Sequence, residues 1–207
     1  MKIAVIGAAG KAGSKIAAEA KARGHAVTAV VRNRAKLADK SLNVIEKDLF
    51  KLTAEELGGF DAVVNAFADF TAEENLFLKS AEHLVGETKK SGKQPYLFFV
   101  GGAGTLMVDG KEIYTLPDFP AAYYPVASKM AKAIEYLQTV SDVNWIFLSP
   151  SAEFIDGEKK GAFRIGGDEL LVDKDGNSSI TTGDYATAVL DELEAPKHIR
   201  KRFTVGY

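Results

Sequence analysis

Four apolar residues, Ile3-Ala4-Val5-Ile6, open the chain and end at a glycine. Five more apolar runs follow: Ala26–Val31, Asn43–Glu46, Asp61–Phe67, Tyr96–Val100 and Asn144–Ser149. They are continuous rather than alternating, the pattern of parallel strands covered on both faces. Between them the apolar residues fall at helical spacing. Residues 11–23 place Ile16, Ala17 and Ala20 on one face, and Gly24 stands where a helix stops. Residues 72–90 carry Leu76, Phe77, Ala81, Leu84 and Val85, with Gly92 beyond, and residues 126–139 carry Met130, Ile134 and Leu137. Residues 183–194 carry Tyr185, Val189 and Leu193 ahead of Pro196, and Phe203–Val205 reads as a last strand.

This alternation predicts the α/β class: a Rossmann-type doubly wound parallel sheet with helices on both faces and a small C-terminal elaboration on the substrate side. All 207 residues are assigned to one domain, without internal repeat or linker. Two stretches break the rhythm. Residues 101–122 are rich in Gly and Pro, and 155–182 form a small strand-containing excursion in which Asp175-Gly176 predicts a hairpin turn. Both follow the carboxyl ends of strands, where such sheets bind ligands.

The stretch after the first strand reads GAAGKAGS, residues 7–14. A diphosphate needs close backbone approach, free N–H groups and a helix N-terminus aimed at it. Gly7 permits the tight turn, Gly10 the approach to the phosphates, and Gly13 close packing of helix on strand. Ala8, Ala9 and Ala12 are small enough not to obstruct. Three spaced glycines alone are weak evidence, but this set follows a strand and opens a helix in a βαβ unit, the context that supports dinucleotide binding.

The second strand ends at Val31 and Arg32-Asn33-Arg34 follows. A free ribose 2′-hydroxyl usually meets Asp or Glu here and a 2′-phosphate meets Arg. The nearest following carboxylate is Asp39, so Arg32 favours NADP(H) over NAD(H). Lys11 is expected to add a second positive charge.

The net charge of −2 gives no general attraction to nucleic acid or to anionic membranes. There is no cysteine, which excludes disulfides, thiolate metal sites and cysteine nucleophiles. His25, His83 and His198 are scattered without ligand spacing, so no metal is expected. Neither a G-x-S-x-G elbow nor a P-loop is present. The opening lacks the long apolar core of an export signal, and a cytoplasmic location is expected.

The turn GAAGKAG resembles the atypical branch of the short-chain dehydrogenase/reductase superfamily. The resemblance continues through Arg32, Lys47-Asp48-Leu49 and Val64-Asn65-Ala66-Phe67. The segments VGGAGTL (100–106), AYYPVASKMAK (122–132), LSPSAEF (148–154) and 179–194 are similar to a bacterial subgroup described as NADH-flavin reductases or NAD(P)-binding NmrA-like proteins. It implies that Asp48 and Leu49 flank the adenine, that Ala66, Phe67 and Ala68 line the ribose side, and that Gly101 belongs to the cofactor site.

The chain departs from the ordinary branch in one respect that bears on chemistry. Carbonyl reduction there uses Tyr and Lys at Y-x-x-x-K, one helical turn apart, so that the phenol protonates the developing alkoxide. No tyrosine here has a lysine four residues on; Lys129 is preceded at that distance by Pro125 and Lys132 by Ser128. Gly101, Gly102 and Gly104 stand where a helper serine is expected. Two constellations remain. In one, Tyr124 lines the substrate pocket and Lys129 meets the nicotinamide ribose, the pair serving as the catalytic candidates; the plain alternative is that the tyrosines pack a loop and the lysines face water. In the other, backbone at Pro150 meets the nicotinamide amide, while Ser151 and Phe154 join Phe67 and Tyr124 around a flat substrate.

The leading expectation is an NADPH-dependent reductase of a flavin, quinone or similar small-molecule acceptor, for which the missing dyad is tolerable because a delocalised anion is protonated by water. A cofactor-binding sensor of the NmrA-like type is the alternative. A nucleotide-sugar epimerase or dehydratase is the third, disfavoured by the absent dyad and the short C-terminal region.

Overall fold

A computed structural model describes residues 1–69 and 74–207. The first run becomes β1 (Lys2–Ile6), followed by α1 (Lys11–Ala22), β2 (Ala26–Val31), β3 (Asn43–Glu46), α2 (Ala54–Gly58) and β4 (Ala62–Asn65). Then come α3 (Leu76–Ser91), β5 (Tyr96–Val100), β6 (Met107–Val108), β7 (Lys111–Glu112), α4 (Tyr124–Gln138) and β8 (Trp145–Pro150). The chain ends through β9 (Glu153–Ile155), β10 (Arg164–Gly166), β11 (Ser179–Thr181), α5 (Thr182–Glu194) and β12 (Lys201–Gly206).

Eight strands form one sheet in the order β3-β2-β1-β4-β5-β8-β12-β10. Every pairing is parallel except β10 with β12. β1 lies between β2 and β4, so the chain reverses its direction of winding beside β1, and the crevice there is where a doubly wound sheet binds its ligand. The period-two alternation of strand side chains feeds two cores. Ile3 and Val5 face α1 and α5, whose Ile16, Ala20, Tyr185 and Val189 are buried. Ala4 and Ile6 face the opposite core, where Phe77, Leu84, Ile134 and Leu137 pack. Burial on both faces is why these strands read as unbroken apolar runs.

Several boundaries move for local reasons. The helix expected over 72–90 begins at Leu76 with Asn75 as its cap, the side chain accepting from Leu78 N at 3.0 Å; positions 72 and 73 lie outside the described residues. The helix expected from 126 starts at Tyr124 because Pro125 suits its first turn. α2 escaped the periodicity reading, being a five-residue helix fixed by a capping box in which Thr53 and Glu56 bond reciprocally. Asp175-Gly176 does lie in a turn, with Gly176 at φ +83°, but the hairpin is not formed. Asp173 Oδ1 accepts from Asp175 N at 2.9 Å and Asn177 N at 2.8 Å, and β11 pairs in parallel with β9 instead of folding back.

The excursion is fastened where α5 begins. Asp184 is fully buried and accepts from Lys160 N at 2.8 Å, Gly161 N at 3.0 Å and Tyr207 Oη at 2.6 Å. Burial pushes its carboxyl up, but these donors and the Thr181 hydroxyl outweigh it and hold the group below the usual carboxylate range. A carboxyl lowered in the folded state adds stability above its unfolded pKa of about 3.9 and loses it as pH falls through the folded value. Asp184→Asn is therefore expected to cost about 2 kcal/mol in urea unfolding at pH 7, with the difference from wild type shrinking below about pH 4. An equal deficit at pH 7 and pH 3 would show that the charge of Asp184 contributes nothing.

Candidate functional site

The turn from β1 into α1 is built by backbone crowding. Gly7 has φ +75°, and a Cβ there would lie 2.7 Å from the Ala66 carbonyl oxygen. A Cβ on Gly13 would lie 2.3 Å from the Gly7 carbonyl oxygen. A Cβ on Gly10 would meet only that same oxygen, at 3.2 Å, so this glycine is open on the side facing the crevice. Gly10 caps α1 without a side-chain acceptor, which leaves the first N–H groups of the helix for a ligand.

The crevice holds a cavity of about 580 Å³ running from Gly7, Ala9 and Gly10 past Arg32 to Asp48 and Leu49, with Ala66, Phe67 and Ala68 along its other wall. That volume is ordinary for a cofactor site, for which about 300–1,000 Å³ is typical. Asp48 is turned inward to cap the short helical turn 49–51, accepting from Phe50 N at 3.0 Å. Buried Asn65 holds the opposite wall, its Oδ1 accepting from Phe67 N at 3.2 Å and its amide donating to Ser80. The Phe67 ring meets Phe50 and Phe77 edge-on, with centroids 6.4 and 6.2 Å away. An uncapped helix, a glycine that leaves room for phosphate and an apolar slot beyond fit an adenine dinucleotide.

Arg32 is exposed on the rim and makes no ion pair among the described residues. Asn33, Lys36 and Lys47 line the same cavity; in the sequence Asn33 and Lys47 have no role beyond their segments, and nothing marks Lys36. Lys47 Nζ lies 2.6 Å from Glu56. Lys11 does not join them. Its ammonium donates to the Phe154 carbonyl and lies 5.4 Å from the centroid of that ring. Phe154 follows β8, on the side of β1 away from β2, so it is Lys36 rather than Lys11 that stands at the cavity with Arg32. Ala12 and Gly13 lie behind the turn, in the first coil of α1.

The residues expected around the substrate do not converge on one surface. Tyr124 lines a second cavity of about 540 Å³ beside Tyr114 and Phe119. Phe67 lines the first cavity, and Phe154 packs on Tyr185 with ring centroids 4.8 Å apart. Ser151 offers no surface to a substrate. It is buried between β8 and β12, donating to the Val205 carbonyl at 2.9 Å. Pro150 ends β8 in register with Val205, and Gly101 is glycine because a Cβ would lie 2.2 Å from the Phe147 ring. Tyr124 and Lys129 stand five positions apart, about 140° around the helix, and face different neighbours. Lys129 Nζ lies 3.5 Å from the buried Asp69 carboxylate, and its carbonyl accepts from Asn75 at 2.9 Å.

The profile of the NAD(P)H-binding family matches residues 7–196. The chain belongs to this family. YwnB of Bacillus subtilis is 46% identical to this NAD(P)H-binding chain, covering 99% of it and 98% of YwnB. A structure from Streptococcus pneumoniae, described as a "putative NADH-flavin reductase", superposes with a TM-score of 0.91 at 39% identity, covering 100% of this chain and 99% of that one. One from Burkholderia pseudomallei, described as a "putative exported protein", gives 0.89 at 42% identity with 100% of each chain covered. The fold is shared with both solved structures, NAD(P)H binding is the family's, and no helix among the described residues is long and apolar enough to cross a membrane.

Proposed function

We propose that this NAD(P)H-binding protein is an NADPH-dependent oxidoreductase that passes hydride to a flat acceptor such as a flavin or a quinone. The observation that carries the cofactor preference is the rim after β2, where Arg32, Asn33 and Lys36 stand together and the carboxylate of Asp48 is committed to its own backbone cap. A guanidinium and an ammonium there suit a 2′-phosphate, whereas a free 2′-hydroxyl would leave them unpaired. The similarity to the S. pneumoniae protein supports the reductase class.

The residues act chiefly by placement. The N–H groups at the start of α1 take the diphosphate, and the crowded Gly7–Gly13 contact fixes that helix against β1. The wall from Ala66 to Ala68 sets the depth of the ribose, and Lys129, held by Asp69, stands beyond it on α4. Bound NADPH supplies the hydride. An acceptor whose reduced form is a delocalised anion needs no phenol donor, which agrees with Pro125 at the position a Tyr–Lys dyad would use.

The test is NADPH titration of the purified protein followed by oxidation with FMN and then with a small quinone. Saturable binding followed by acceptor-dependent loss of NADPH absorbance is expected. Tight binding without turnover across the panel would overturn the reductase reading in favour of a sensor.

A further inference from the structure

The cavity at the head of α4 is separate from the cofactor crevice, and its chemistry differs. Its walls are Tyr114, Leu116, Pro117, Phe119, Tyr124 and Pro125, and none of its lining residues is charged. The Tyr114 and Tyr124 rings are tilted by 52° with centroids 6.0 Å apart, an open aromatic corner with Tyr124 half-exposed. Phe119 closes it towards β5: a Cβ on Gly104 would lie 3.5 Å from the tip of that ring and 2.7 Å from Ala127 of α4.

One ion pair and one helical turn relate the crevice wall to this corner. The crevice wall ends at Ala68, the next residue is Asp69, and Asp69 holds Lys129. One turn earlier on the same face of α4 stands Pro125, a wall of the second cavity. The second cavity thus begins one helical turn from Lys129, whose partner Asp69 directly follows the crevice wall.

Its electrostatics select among acceptors. Between Lys111 and Lys129, which bound it, the segment carries Glu112 and Asp118 as its only charged residues. Burial, reinforced by the Glu112 carboxylate that its hydroxyl meets, pushes the Tyr114 phenol above its usual value. A phosphorylated flavin would bring a dianion to a cavity whose own lining residues offer no cation.

We propose that this aromatic corner is the acceptor subsite and that it takes an uncharged planar ring of the quinone class in preference to flavin mononucleotide. The proposal rests on the reductase reading. The quinone takes a hydride, one proton with two electrons, from reduced nicotinamide, which is oxidised; the resulting hydroquinone monoanion takes its second proton from water.

Equilibrium dialysis in the presence of NADP⁺, so that no turnover occurs, tests it with 2-methyl-1,4-naphthoquinone and FMN as probes. The chain has no cysteine, so the quinone binds without thiol addition. Saturable quinone binding is expected, weakened about three- to tenfold by Tyr124→Ala, a change at a half-exposed ring that should leave the melting temperature unmoved. FMN should bind more weakly than the quinone, and Glu112→Lys should raise FMN affinity at least about threefold while leaving quinone affinity within about twofold. FMN binding as tight as the quinone, or quinone binding indifferent to Tyr124→Ala, would overturn the subsite even if NADPH oxidation proceeds. Quinone binding that follows these expectations without NADPH oxidation by any acceptor would instead sink the reductase reading and remove the acceptor role.

Discussion

Gly13→Ala is expected to destabilise the protein by about 3 kcal/mol, lowering its melting temperature by roughly 6–12 °C, and to abolish measurable NADPH binding. The reason is local and rigid. The added Cβ would lie 2.3 Å from the Gly7 carbonyl oxygen and 2.8 Å from its carbonyl carbon. Neither atom can retreat, because Gly7 N donates to Val30 O at 3.0 Å and the residue already sits at φ +75° against Ala66. Helix α1 must therefore shift off β1, and the N–H groups aimed at the diphosphate shift with it. Gly10→Ala provides the contrast. Its Cβ meets one oxygen at 3.2 Å, and its φ of −85° suits alanine, so the melting temperature should fall by no more than about 3 °C. The methyl group would nevertheless stand in the crevice, and NADPH affinity should drop at least about tenfold. Thermal melts and NADPH titrations of both variants decide the matter. Equal melting temperatures for the two would show that the turn yields more readily than its packing implies.

The same contrast shows what the sequence made legible. Gly7 and Gly13 announce their roles through spacing after a strand, since the crowding that requires them is backbone against backbone, and Gly10 shares the spacing because a ligand must approach there. The sheet was legible for a similar reason: burial on both faces writes unbroken apolar runs in its central strands, and all six runs, the edge strand Asn43–Glu46 included, and the final Phe203–Val205 became strands of it. The edge strand β10 was not, because Arg164-Ile165-Gly166 is short and mostly exposed and pairs with residues some forty positions on in β12. Side-chain direction was hidden as well. Lys11 adjoins the glycine turn in sequence, yet its ammonium lies at Phe154; Lys36 sits in an ordinary polar loop, yet a 3₁₀ turn capped by Asn33 carries it to the cavity. Ser151 looked like a group at a binding edge, but the register of β8 on β12 turns its hydroxyl into the sheet. Local patterns encode backbone shape; which way a long side chain points is decided by distant segments.

Arg32→Asp should separate the two nicotinamide cofactors by about two orders of magnitude. Hydrogen bonds between a guanidinium and a phosphate are charge-assisted and worth roughly 1.5–3 kcal/mol, and the substitution replaces that attraction with repulsion. NADPH affinity is therefore expected to fall about 100-fold. Lys36 and Lys47 remain in the cavity, which keeps the loss from being complete. NADH has no 2′-phosphate, and a carboxylate at the end of the second strand is the group that a free 2′-hydroxyl ordinarily meets, so its affinity should hold within about threefold or improve. Arg34→Asp is the control. Its backbone N–H is held by Glu46 at 3.0 Å and its side chain does not line the cavity, so both affinities should change less than about twofold. Salt gives an independent reading, because an exposed guanidinium–phosphate pair is screened. NADPH affinity of the wild type should weaken from 50 to 500 mM KCl by more than that of Arg32→Asp. Equal losses for NADPH and NADH in the variant, with equal salt dependence, would show that Arg32 reads no 2′-phosphate, and the NADPH preference would fall while NAD(P)H binding by the family stood.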